Sequence, residues 1–126
     1  MKKTIIVIII FVLCGCTKKY EEINYKKMYN KMNDYKTYIV YLCNQTDECK
    51  LYNEKINKVI KETNQEIYYL DTSKLEENEK VLIESMYFEG NKLTIPSILK
   101  IEKGIIKDKQ IGNKKYEEIK EFIKET

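Results

Sequence analysis

Two cysteines, Cys43 and Cys49, lie in the stretch YLCNQTDECKLY, residues 41–52, with Asn44, Gln45, Thr46, Asp47 and Glu48 between them. Thiols at this spacing have three possible fates: exchange with another disulfide, a structural bridge, or two separately packed side chains. The intervening chain permits ring closure, provided the Cα atoms come within roughly 7 Å and the Cβ vectors converge. A metal site built from the two thiols with Asp47 and Glu48 is a poor prospect, because structural zinc wants four good ligands. No imidazole is available, since the chain has no histidine, and every basic residue is a lysine. Histidine-based acid–base catalysis and bidentate guanidinium recognition of phosphate are thereby excluded. Thr46 has no histidine to activate it, so its expected role is a helix N-cap that accepts the N–H of residue 48 or 49. No cofactor is expected.

The elements that must hold these residues follow from periodicity. TYIVYL is apolar on both faces and rich in β-branched and aromatic residues, which suits a central strand. Cys49, Tyr52, Ile56, Val59 and Ile60 recur at three- and four-residue steps, an amphipathic helix reaching about Glu62. Upstream, EINYKKMYNKM spaces Ile23, Met28 and Met32 along one helical face. EIYYLD reads as a second strand and KLEENEKVLIESMYF as a helix ending near Gly90. LTIPSILKIEKGIIKDKQIG reads as strand, Lys103-Gly104 turn, strand. NKKYEEIKEFIKET closes the chain as a helix with Asn113 as cap and Tyr116, Ile119, Phe122 and Ile123 inward. The order implies an α/β domain: a central mixed sheet of about four strands, parallel pairs with right-handed crossovers, one antiparallel edge, and flanking helices.

The N-terminus, MKKTIIVIIIFVLCGCTKK, places two lysines before an apolar run from Ile5 to Leu13. That is the pattern of an export signal, and the run is shorter than the ~20 residues a spanning helix needs. LCGC resembles the lipobox of bacterial lipoproteins, with Leu13 at the apolar position and Gly15 before the cut, although Cys14 is unusual there. The resemblance implies cleavage after Gly15 and lipidation of Cys16. The expected organisation is a signal peptide over 1–15, a lipidated cysteine, tether and first helix over 16–36, and a single domain over 37–126. The expected location is the extracytoplasmic face of the cell membrane, where disulfides persist. Loss of Lys2 and Lys3 lowers the formal charge from +3 to +1. A near-neutral chain without a basic cluster is not expected to bind nucleic acid, and a monomer is expected.

Element order and three local segments resemble the thioredoxin-like fold family over residues 37–125. YIVYL with CK and a long helix beyond it is similar to the junction that holds the family's redox site. TIPSILKIEKGII is similar to the segment with the family's cis-proline and hairpin, and Pro96 is the sole proline of the chain. IGNKKYEEIKEFI is similar to the final glycine and helix. A gapless alignment puts the second motif cysteine on Cys49 and the first on Thr46, so the family's Cys-x-x-Cys becomes TDEC. The buried acid kept by many members aligns with Val40. By that alignment Val40 faces the helix bearing Cys49. Strand alternation then turns Cys43, which shares a face with Tyr41, away from Cys49 unless the strand has already ended.

The resemblance implies a substrate groove at Thr46, Ile95 and Pro96, with Cys49 and Cys43 as candidate catalytic thiols. Partners would be thiols or disulfides of extracytoplasmic proteins or peptides. Two functions stay open: thiol–disulfide exchange through a shifted Cys43/Cys49 pair, or a redox-inactive binding or accessory module for an envelope protein. Thr46 at the first motif position leaves open whether the chain is an enzyme at all.

Overall fold

The computed structural model describes residues 20–32 and 37–124. The signal segment, the lipobox and Cys16 lie outside the described residues. Strand β1 spans Glu21–Ile23, helix α1 Tyr25–Met32, strand β2 Thr37–Cys43, helix α2 Asp47–Thr63 and strand β3 Ile67–Asp71. A 3-10 turn over Thr72–Lys74 leads to helix α3, Glu77–Tyr87. Strand β4 (Ser97–Glu102), strand β5 (Ile105–Ile111) and helix α4 (Tyr116–Lys124) complete the chain.

The strands form one sheet in the order β1-β3-β2-β4-β5. β1 and β2 both run parallel to β3, whereas β4 is antiparallel to β2 and to β5. β2 is therefore the central strand, and every residue from Tyr38 to Cys43 is buried. Its side chains alternate between two apolar layers. Ile39, Tyr41 and Cys43 pack with α2 and α4, through Tyr52, Ile56, Val59, Ile119 and Ile123. Val40 and Leu42 pack with α1 and α3, through Met28, Ile83 and Tyr87. Helices on both faces of the sheet explain why β2 is an unbroken apolar run.

Among the described residues the sheet has five strands, one more than the sequence pattern suggests, because Ile23 belongs to β1 and not to the first helix. The physical reason is the open edge of β3, whose unpaired backbone accepts Glu21–Ile23 in register with Tyr68–Leu70. Asn24 then ends the strand and caps α1, its Oδ1 accepting the N–H of Lys27 at 2.8 Å. Met28 remains on the buried face of α1.

The remaining punctuation follows local chemistry. Lys103 and Gly104 both have positive φ, 54° and 76°, the backbone a two-residue hairpin turn demands. α3 ends where the N–H groups of Phe88 and Gly90 both reach the Glu84 carbonyl, with Gly90 at φ 81°.

Candidate functional site at the end of strand β2

Cys43 ends β2 and Cys49 lies in the first turn of α2. The two are joined by a disulfide, with Cα atoms 5.8 Å apart, inside the range a bridge requires. Neither side chain meets solvent: Cys43 is 0% exposed and Cys49 1%.

This corrects the expected orientation of Cys43. Strand alternation holds, and Cys43 does share a face with Tyr41, but that is the face covered by α2. Val40 lies on the opposite layer, under α1 and α3. The gapless alignment places Val40 on the α2 side, whereas Val40 packs with α1 and α3. A slip of one residue exchanges the two faces of a strand. The β2 residues beneath Cys49 are thus Tyr41 and Cys43.

A short turn joins the two sulfurs, and its own side chains shape it. Asn44 Oδ1 accepts both the backbone N–H of Thr46, at 3.0 Å, and its hydroxyl, at 2.6 Å, a local turn typical of asparagine. Thr46, with φ −71° and ψ 162°, is the N-cap of α2, its Oγ1 accepting the Cys49 N–H at 3.4 Å. That bond satisfies one orphan donor at the helix start, and Thr46 itself is exposed. The backbone N–H of Asn44 donates to Cys49 Sγ at 3.1 Å.

Three further bonds tie this junction to β3 and the 3-10 turn that follows it. Thr72 Oγ1 donates to the Cys43 carbonyl at 3.1 Å, Tyr69 OH to the Asn44 carbonyl at 3.2 Å, and Gln45 Nε2 to Asp71 Oδ2 at 2.8 Å. Asp71 is only 4% exposed. Burial pushes its carboxyl up. The Ser73 hydroxyl, the Gln45 amide, the Ser73 N–H and the Lys74 charge outweigh that and hold it below the usual carboxylate range.

Tyrosines fill the space behind the bridge. Tyr41 stacks on Tyr52 at 5.6 Å between ring centroids and meets Tyr69 at 5.3 Å, while Tyr20 covers Tyr69 at 4.8 Å. Tyr41 OH donates to Asn53 Oδ1 at 2.6 Å. Burial pushes the phenols of Tyr41, Tyr52 and Tyr69 well above their ordinary range.

β4 enters the sheet beside this junction. Ser97 pairs with Leu42, so continuing the register by one residue sets Pro96 opposite Cys43. The Ile95–Pro96 peptide bond is cis, Pro96 is buried, and Ile95 packs against both apolar layers. Next to it opens a cavity of about 260 Å³, bounded by the Asn44 turn, Thr72 and Ser73, Lys80 and Glu84 of α3, and the Lys92–Ile95 loop. The sequence-predicted residues Cys43, Cys49, Thr46, Ile95 and Pro96 therefore collect at one end of the sheet. Sequence reasoning missed Asn44, Asp71 and the tyrosine layer. Asn44 left one readable signal, an asparagine two residues before the capping threonine.

No protein-family model and no curated protein sequence matches the chain. Solved structures do. Thioredoxin F from spinach chloroplast, in its short form, matches at TM-score 0.63 and 19% identity, over 85% of this chain and 92% of that one. Mitochondrial thioredoxin 3 from Saccharomyces cerevisiae, oxidised form, matches at TM-score 0.61 and 16% identity, over 89% of this chain and 99% of that one. Thioredoxin O2 from Arabidopsis thaliana, oxidised, matches at TM-score 0.61 and 11% identity, over 85% and 93%. With the sheet order, the cis bond before Pro96 and the helices on both faces, these likenesses show that the chain has the thioredoxin-like fold.

Proposed function

We propose that this chain is a lipid-anchored, extracytoplasmic thioredoxin-like protein acting in thiol–disulfide exchange, with bridged Cys43 and Cys49 as its resting form. The observation that carries this reading is the bridge itself, at the strand-to-helix junction beside Pro96. In the reducing direction, a partner thiolate attacks Cys43 Sγ. A mixed disulfide forms as the Cys43–Cys49 bond breaks, and the electron pair leaves on Cys49 Sγ. Cys49 is the better leaving group, because the Asn44 N–H already points at its sulfur and the start of α2 favours negative charge. Asp47 and Glu48 partly oppose this. A second partner thiolate then displaces Cys43. The partner ends as a disulfide, and both cysteines end reduced, having gained two electrons and the partner's two protons. Since both sulfurs are buried, the link 44–46 ahead of α2 must move aside before attack. Anchoring rests on the LCGC segment and Cys16, where multiple acyl chains give stable membrane attachment.

The same burial favours a second reading, in which the bridge is a clip and the chain is a redox-inactive binding module for an envelope protein. One experiment separates the two: redox titration of the mature protein in thiol buffers, with exchange assayed against a small disulfide. A reversible two-electron couple, lost in Cys43→Ser and in Cys49→Ser, supports exchange. An inert wild type whose partners survive the double substitution supports the clip.

A further inference from the structure

The cavity beside Ile95 is lined by two lysines and one glutamate. Its hydroxyl hydrogens are already engaged: Thr72 donates to the Cys43 carbonyl, and Ser73 Oγ donates to Asp71 Oδ1 at 2.6 Å. Its one carboxylate, Glu84, accepts the Leu93 N–H at 2.6 Å. The Asn44 amide oxygen holds Thr46 twice, which leaves its Nδ2 group as donor. Lys80 and Lys92 also line the cavity. Among the described residues Lys92 has no ion-pair partner, and Lys80 meets only Glu77, at 3.9 Å. Two lysines and the Asn44 amide thus line the cavity with one tethered carboxylate, so the formal charge of its lining is net positive and suits an anionic group.

We infer that this cavity takes the carboxylate of an aspartate or glutamate side chain on an extended partner segment, held by Lys80, Lys92 and Asn44. The inference rests on the groove at Thr46, Ile95 and Pro96 that the family resemblance implies, taken as the place where a partner segment lies in either proposed function. The cavity volume of about 260 Å³ accommodates one acidic side chain and not a folded element. Charge complementarity fixes the sign of the partner. Asn44 also donates its backbone N–H to Cys49 Sγ, so seating a carboxylate on its side chain bears directly on the turn that shields the bridge.

The test uses the mature chain in nanodiscs and acetylated, amidated heptapeptide mixtures whose central residue is fixed as Glu, Asp, Gln or Asn, measured by calorimetry. The expected result is binding roughly tenfold tighter for the acidic sets at low salt, with the preference shrinking as salt rises. It should vanish in Lys80→Gln/Lys92→Gln, whose thermal melting matches wild type. Equal binding of acidic and amide sets overturns the inference and leaves the groove reading intact. A preference that survives the double lysine substitution also overturns it. So does a preference for a free C-terminal carboxylate in place of the acidic side chain, tested with neutral non-amidated peptides. Failure of every peptide to bind removes the groove reading itself, and the inference with it.

Discussion

Asn44 grips Thr46 with its side chain while its backbone N–H points at Cys49 Sγ, 3.1 Å away. One residue thus sets both the cap of α2 and the surroundings of the bridge. Asn44→Ala keeps the backbone donor and removes the acceptor for Thr46. It should destabilise the domain by about 1 kcal/mol and speed reduction of the bridge by dithiothreitol. Denaturant titration and thiol release measure the two effects. An unchanged reduction rate would show that the turn does not control access.

The bridge closes a ring with a sequence separation of 6 between its cysteines. Replacing both by alanine frees the unfolded chain from that constraint and leaves small voids between β2 and α2. The expected loss is about 2–4 kcal/mol, read as a lower denaturant midpoint with little change in slope. A loss under about half a kcal/mol would mean that packing alone holds the junction.

Acid stability should depend on Asp71. Its carboxyl is held below its usual range in the native state. Its contribution is therefore complete above about pH 4, the unfolded value, and is lost as pH falls through the native one. Asp71→Asn should cost about 1–2 kcal/mol at neutral pH, and its stability should converge on wild type in strong acid. Parallel stability curves from neutral pH downward would contradict this.

At the alkaline end the sign reverses. Tyr41, Tyr52 and Tyr69 bind their protons more tightly folded than unfolded, because burial disfavours the phenolate. Stability from these groups is complete below about pH 10 and falls as pH rises beyond it. Phenolate absorbance from them should appear only together with loss of helical circular dichroism. Independent ionisation in a folded protein would show that water reaches the layer.

What was readable in the sequence was local. Lys103-Gly104 names its own turn, the spacing of Cys49, Tyr52, Ile56 and Val59 names the buried face of α2, and Thr46 names its cap. Pro96 as the sole proline was informative because the family resemblance gave it a place. β1 was hidden because Glu21–Ile23 becomes a strand only when the edge of β3 is there to receive it. The alternation of β2 was also plain, yet which face α2 would cover is a decision made by the whole fold. The side on which Cys43 lies is therefore not legible from alternation alone. The cavity at Ile95 draws its wall from four separate segments between Asn44 and Ile95, and no short window of sequence contains it.

Helix ends ordinarily fray, opening and closing their first turn many times faster than the domain unfolds. The covalent link from Cys43 to Cys49 denies α2 that freedom, since its opening turn cannot unwind without dragging the middle strand of the sheet. Cutting the link would return the motion, so amide hydrogens at Cys49 and Lys50, bonded to Thr46, would exchange with solvent on a clock set by the oxidation state of the sulfurs.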